Sequence, residues 1–263
     1  MLPLSREGTA LPTLVLLHYF GGSRREWTEV RALLSPHFEC VSLDLPGFGD
    51  SADIIGYTVE EMTAAIAKTI KFLALKSFVL VGHSMTGKLA LVIAAQKLAG
   101  LKGLVLVAPS PPSPEPIQES NRKKMLAFRR VRQDAEEFLD GITAHPLVGE
   151  ARERAIKDFM RCSPDAWTAW LERGSKENCA KHVNIVGYPA LVITGDADPS
   201  LPASVQEKMT LPHLKRPRLE VISQCGHLPT LETPGKLSWL ISNFVRNEVK
   251  DPSDPARPEL NGH

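Results

Sequence analysis

Ser84 stands in Phe78-Val-Leu-Val-Gly82-His83-Ser84-Met85-Thr86-Gly87-Lys88, where an apolar strand gives way abruptly to a helix. A turn of this kind lifts a side chain above the carboxyl edge of a sheet, beside the free N–H groups of the new helix. A hydroxyl in that place can act as a nucleophile, because those N–H groups can hold the oxyanion that its attack creates. Two other chemistries compete for the neighbourhood. Gly82-x-x-x-x-Gly87-Lys88 fits the start of a phosphate-binding loop, but Leu89 takes the place of the Ser or Thr that would hold Mg²⁺. Gly47-x-Gly49-x-x-Ala52 fits a dinucleotide-binding pattern, yet no helix opens directly at it. Nucleotide binding is therefore disfavoured, and the segment alone leaves both a catalytic and a structural serine open.

A serine hydroxyl is a poor nucleophile until an imidazole takes its proton, and that imidazole needs a carboxylate to fix its tautomer. Four strand-end segments offer the partners: His18-Tyr19-Phe20-Gly21-Gly22-Ser23, Asp44 to Ser51, Gly195-Asp196-Ala197-Asp198-Pro199 and Cys225-Gly226-His227. His227 follows the last strand in a glycine-containing loop, the adaptable place a base requires. Asp196 and Asp198 both lie within reach of a strand end. Asp44 reads as a turn-capping residue, and His18 and His83 as structural histidines.

The elements that must hold these residues alternate. Strands are expected at 14–17, 38–43, 78–81, 104–108, 190–194 and 219–222, and helices at 27–34, 58–75, 85–98 and 236–249. Thr58 with Glu61 three residues on is a capping box. The alternation predicts a parallel sheet covered on both faces. It stops at Pro111, Pro112, Pro114 and Pro116, and residues 112–187 show helical periodicity instead. Within them, residues 121–132 hold basic side chains at 122, 123, 124, 129, 130 and 132. Met125, Phe128, Val131, Ala135, Phe138 and Leu139 follow at three- and four-residue steps, which predicts one amphipathic helix with a solvated basic face. Guidance of an acidic substrate is the alternative use of that face.

Together, the elbow and the other strand-end motifs resemble the α/β-hydrolase family over residues 13–110 and 188–248. The resemblance implies an α/β fold with a mostly parallel sheet, helices on both faces and a helical cap. The core would be 1–111 with 188–250 and the cap 112–187. It implies Ser84 as nucleophile, Asp198 as acid and His227 as base, in the family's chain order. The family pattern sets the acid three residues after Gly195, which selects Asp198 over Asp196. The oxyanion hole would use the backbone N–H groups of Phe20 and Met85. Tyr19, Trp167 and Trp170 are candidates for the substrate pocket, or for packing the cap onto the core. Two positions depart from the family: Tyr19 follows His18 where glycine is usual, and Thr86 stands where the elbow carries glycine. About a dozen residues precede the first motif, where family members have an antiparallel pair, so the expectation is either a sheet lacking one strand or a truncated form of the chain.

The expected activity is that of a serine hydrolase acting on a small or medium apolar ester or lactone through an acyl-enzyme. No metal or organic cofactor is implied. A serine at the elbow argues against the dehalogenase and epoxide-hydrolase branches, whose nucleophile is an aspartate. C–C bond hydrolysis and cofactor-free perhydrolysis use the same triad and stay open. So does a non-catalytic ligand receptor, which the changes at Tyr19 and Thr86 would favour.

Composition narrows the remaining classes. The chain has 263 residues, 43% hydrophobic and 23% charged, close to the globular average and far from a disordered one. Thirty-one basic against thirty acidic residues give a formal charge of +1, which argues against nucleic-acid and membrane-surface binding. The apolar runs are far short of a membrane span, and no secretory signal is visible. Four scattered cysteines at 40, 162, 179 and 225 form no CxxC pair, which suits a reducing, cytoplasmic setting. The Pro-rich residues 251–263 are expected to be disordered. The partner is a small molecule; oligomeric state is not legible.

Overall fold

In the computed structural model, which describes residues 1–249, the strands are β1 (Leu4–Glu7), β2 (Thr13–Leu17), β3 (Cys40–Leu43), β4 (Phe78–His83), β5 (Leu101–Val107), β6 (Val186–Gly195) and β7 (Leu214–Ile222). The helices of the first half are α1 (Thr28–Leu34), α2 (Val59–Phe72) and α3 (Met85–Ala95). Between β5 and β6 come α4 (Glu119–Leu126), α5 (Arg132–Asp140), α6 (Gly149–Arg161), α7 (Pro164–Glu172) and α8 (Ala180–Val183). After β6 follow the short α9 (Ala203–Val205), then α10 (Pro229–Glu232) and the long α11 (Pro234–Glu248). The expectation of disorder over 251–263 lies outside the described residues.

The strands form one seven-stranded sheet in the order β1-β3-β2-β4-β5-β6-β7. Every pairing is parallel except β1 with β3. The segment before the first motif thus supplies a single antiparallel strand. Alternate side chains of each strand enter opposite layers. Leu14, Leu16, Val79 and Val81 join α1 and α11 through Val30 and Phe244. Val15, Leu17 and Leu80 join α2 and α3 through Ile66 and Leu89, in the same cluster as Phe159 and Trp167 of the inserted helices. Both faces are therefore apolar, which is why these strands read as continuous apolar runs. The Thr58–Glu61 capping box forms as expected at the start of α2.

Several boundaries differ, for stated reasons. Helix α2 stops at Phe72 and α3 at Ala95, each followed within two residues by a left-handed residue, Ala74 (φ 50°) and Lys97 (φ 53°). Strand β7 starts at Leu214, well before the expected 219, although Pro217 lies inside it. A proline is tolerated there because β7 is an edge strand.

The single amphipathic helix expected from residue 121 is corrected to two, α4 and α5, with a break at 127–131. Arg130 takes φ 62° in that break, a conformation no helix continues through. The face is not uniformly solvated either. Arg122 is only 4% exposed and its guanidinium donates to the Leu171 carbonyl oxygen and, at 2.8 Å, to Ser175 Oγ. A buried guanidinium needs such acceptors, and the end of α7 with the turn Gly174–Lys176 after it provides them.

Candidate active site

Ser84 joins β4 to α3 with φ 54° and ψ −117°, a conformation that costs a non-glycine residue roughly 1–3 kcal/mol. Its main chain is held on all sides. Ser84 N–H donates to Val107 O at 2.8 Å, and Ser84 O accepts from Gly87 N–H at 2.8 Å and Ser110 N–H at 2.9 Å. Two glycines let the backbones close in. A Cβ on Gly82 would lie 2.6 Å from Thr86 O, and one on Gly87 would lie 2.3 Å from Pro109 Cβ. Close packing at Gly87 thus accompanies the unusual Thr86. Thr86 itself is fully buried, with Oγ1 accepting from His83 N–H at 2.8 Å and lying 3.0 Å from both Leu17 O and His83 O. Its hydroxyl is a bracket inside the elbow.

Two distant loops converge on the serine. His227 Nε2 lies 2.8 Å from Ser84 Oγ, and His227 Nδ1 lies 2.9 Å from Asp198 Oδ2. A carboxylate only accepts, so Nδ1 carries the proton and Nε2 is left to receive the one from serine. Asp198 Oδ1 accepts from Ser200 N–H at 2.8 Å and Leu201 N–H at 3.0 Å, which fixes the carboxylate plane. The loop carrying His227 is organised by Glu232, whose carboxylate accepts from the N–H groups of Gly226 and Leu228 at 2.9 Å and of Ala144 at 2.8 Å. Ser84, Asp198 and His227 are 7%, 4% and 6% exposed. Asp196 points elsewhere: it is exposed and accepts only a long 3.4 Å bond from Cys225 N–H. Asp44 caps its turn, accepting from Arg24 N–H at 2.7 Å and Asp50 N–H at 2.8 Å.

The electrostatics follow. Burial alone would push the His227 imidazole down, but the Asp198 charge and its hydrogen bond, aided by Glu115 and Glu232, hold it above the ordinary histidine value. Burial would raise the Asp198 carboxyl, and the His227 charge, its hydrogen bond and the two N–H donors bring it below its ordinary value. The pair is poised to take a proton from Ser84.

Phe20 lies in the loop after β2 and Met85 opens α3. Among the described residues, neither backbone N–H donates to a protein acceptor. The Phe20 ring stacks on Trp167 at 4.2 Å between centroids, and Trp167 stacks in turn on Phe128 at 4.8 Å. Trp167 Nε1 donates to Met125 O at 2.8 Å, and Trp170 lies 6.4 Å from Phe20. Both tryptophans thus tie the inserted helices to the loop of Phe20. Tyr19 is buried with its ring edge-on to His83 at 5.4 Å and tilted against Phe159 at 5.8 Å. Burial first, then Glu26 and Asp158, raise its phenol well above the usual range. His18 is a structural histidine, with Nδ1 donating to Tyr19 O at 2.8 Å and Nε2 accepting Leu45 N–H at 3.1 Å.

Besides Arg122, sequence reasoning missed the burial of Glu26 and Lys88. Glu26, beside Arg24 and Arg25, reads as a surface residue but is 3% exposed. Lys88 was noticed only as a phosphate ligand. It is instead fully buried, and Nζ reaches Glu177 O at 2.9 Å, Gly174 O at 3.1 Å and Ser175 O at 3.4 Å. The signal available was a lone lysine in the apolar stretch 85–95. Among the described residues no group of three His, Cys, Asp or Glu side chains could hold a metal ion, and no helix is long and apolar enough to cross a membrane.

A mostly parallel sheet with a hydrogen-bonded Ser–His–Asp chain at its carboxyl edge defines the α/β-hydrolase class of enzyme. The chain belongs to the alpha/beta hydrolase family, whose model matches residues 14–238. It is 29% identical over 252 residues to the 2-succinyl-6-hydroxy-2,4-cyclohexadiene-1-carboxylate synthase of Enterobacter sp. (strain 638), covering 91% of this chain and 94% of that one. It is 28% identical over 236 residues to the pimeloyl-[acyl-carrier protein] methyl ester esterase of Nitrosomonas europaea, covering 85% and 91%. A bromoperoxidase structure from Bacillus anthracis shares the fold, with a TM-score of 0.83 at 20% identity over 93% of this chain and 95% of that one. The protein is an enzyme of this family, related to ester hydrolases.

Proposed function

We propose that this enzyme is a serine hydrolase that cleaves a small or medium apolar ester or lactone through an acyl-enzyme. The observation that carries the reading is the 2.8 Å approach of His227 Nε2 to Ser84 Oγ. Ser84 Oγ attacks the carbonyl carbon as its proton passes to His227 Nε2. The imidazolium so formed is stabilised by Asp198 at 2.9 Å. The backbone N–H groups of Phe20 and Met85 hold the oxyanion. His227 then protonates the leaving alkoxide, and the acyl group stays on Ser84. A water, deprotonated by the same imidazole, releases the acid and restores the serine.

Residues 112–187 act as a cap on the core, with Phe20, Tyr19, Trp167 and Trp170 as the apolar wall that favours uncharged acyl groups. Four free, buried thiols support a reducing compartment, the cytoplasm, for this activity. The relationship to a methyl ester esterase supports an ester as substrate.

The test is turnover of p-nitrophenyl butyrate and of a medium-chain lactone, with fluorophosphonate labelling. A burst of p-nitrophenol and a label on Ser84 are expected. Labelling without Ser84-dependent turnover of any ester or lactone would sink the assignment and favour a ligand receptor.

A further inference from the structure

We propose that Glu26 and His83 form a buried positioning pair that keeps the base His227 and the loop of Phe20 in register with Ser84; this role rests on the hydrolase reading above. Neither residue touches the Ser84 hydroxyl. Their side chains are 1% and 0% exposed, so water supplies neither with a partner. His83 Nδ1 lies 3.1 Å from Glu26 Oε1, and His83 Nε2 lies 2.9 Å from the main-chain oxygen of His227. Glu26 Oε2 accepts Tyr19 N–H at 3.1 Å. Two side chains thus reach the base, the residue before the nucleophile and the residue before the expected oxyanion donor.

The proton count on the pair is fixed by its partners. A carbonyl oxygen only accepts, so His83 Nε2 must carry a proton toward His227 O. A second proton must lie between Nδ1 and Glu26, since an unprotonated nitrogen facing a carboxylate would leave two acceptors in contact. The pair is therefore neutral as a whole, whichever atom holds that proton. A lone buried carboxylate would be costly, which keeps His83 turned toward Glu26 and its far nitrogen toward His227.

The consequences reach both sides of the reacting centre. His227 is held at each end of its own backbone, its N–H by Ile142 O at 2.8 Å and its carbonyl by His83. Its imidazole therefore extends toward Ser84 from a main chain fixed at both ends. On the other side, Glu26 fixes Tyr19 N–H, and Tyr19 O accepts from His18 Nδ1 at 2.8 Å and Gly22 N–H at 3.1 Å. The Phe20 N–H shares a planar trans peptide with that Tyr19 carbonyl, so pinning the carbonyl sets where the N–H points. Among the described residues, Glu26 is the one carboxylate that touches both assemblies.

The test is the saturable reaction of Ser84 with a fluorophosphonate, which gives a limiting rate and a half-saturation concentration without the natural substrate. Glu26→Leu is close in volume and removes both acceptors, the one facing His83 Nδ1 and the one facing Tyr19 N–H. His83→Asn keeps a group facing Glu26 but loses the donor to His227 O. His83→Gln can place an amide N–H near the lost Nε2. Glu26→Leu and His83→Asn should slow the limiting rate about tenfold or more, as small misplacements of reacting groups do. Their half-saturation should stay within about twofold of the parent's. His83→Gln should label faster than His83→Asn, which a loss of packing alone would not produce. Labelling of Glu26→Leu and His83→Asn at the parental rate, or a loss confined to half-saturation, overturns the proposal. If a His83 variant is recovered unfolded, the Glu26→Leu comparison decides alone, with its thermal midpoint as the check on folding. Failure of the parent itself to label at Ser84 overturns the hydrolase assignment, and the positioning role falls with it.

Discussion

Thr86 Oγ1 lies 3.0 Å from the main-chain oxygen of Leu17, joining the first turn of α3 to the end of β2. The hydroxyl sits where the family's elbow carries glycine, and it spans from the nucleophile's turn toward the loop that holds Phe20. Thr86→Gly removes the bracket but not the elbow, whose closeness is set by Gly82 and Gly87. Its kcat/KM should change less than about tenfold, or ~1.4 kcal/mol in the transition state. Thr86→Val keeps the shape and strands His83 N–H, so its thermal stability should fall by about 1–3 kcal/mol. Ester turnover and denaturant unfolding measure both. A hundredfold rise in activity for Thr86→Gly would show threonine to be a suppressor.

Removing the triad members tests their unity. Ser84→Ala and His227→Ala should each lower kcat by ~10³-fold or more, and the double variant should lose little beyond either. Asp198→Asn should be crippling, while Asp196→Asn, at an exposed carboxylate, should be mild. The opposite order between the two aspartates would reassign the acid.

The pH profile carries a sign. His227 is held above its ordinary value, and the base must be unprotonated to act, so the acid limb of kcat/KM should have its midpoint above ~6.5. Asp198→Asn removes the charge that opposes burial, and its residual activity should show that limb moved to lower pH. A limb that stays put in Asp198→Asn would mean that another group titrates.

The thiols give an independent check on packing. Burial pushes Cys40 and Cys225 up to about 12 and Cys162 to about 11. A disulfide-exchange reagent at pH 8 should therefore react with these thiols only after denaturation. Rapid modification of all of them in the native protein would contradict the buried arrangement.

Lys88→Met tests the buried lysine. Methionine fills a similar volume and leaves the carbonyls of Gly174, Ser175 and Glu177 without their donor. The expected loss is about 1–3 kcal/mol of stability by denaturant unfolding. A neutral result would mean that water or another donor takes over.

The sheet and the converging loops were legible because strand ends next to glycine announce themselves locally. Ser84, Asp198 and His227 each stand in such a segment. What was not legible depends on tertiary contact. Residues 121–139 carry helical spacing throughout, and spacing is blind to the left-handed turn at Arg130 that makes two helices of one. Pro217 hid the first half of β7, because edge position is a property of the assembled sheet. Glu26 and Arg122 look like solvated charges, since a charge's partners lie far along the chain: Glu26 meets His83, and Arg122 meets Leu171 and Ser175. Tyr19 and Thr86 stood out as departures, but only geometry shows a threonine acting as a bracket.

Lys88 also bears on how such enzymes can be recombined. Its ammonium grows from the helix behind the nucleophile and ends among three carbonyl oxygens at the close of the inserted helices. A chimaera that exchanges residues 112–187 for another family member's segment would leave that cation facing foreign backbone. The exchange unit for design is therefore discontinuous: the insertion together with position 88. Grafts that respect this boundary should be more stable to denaturant than grafts cut at the proline-rich exit alone, by about 1–3 kcal/mol.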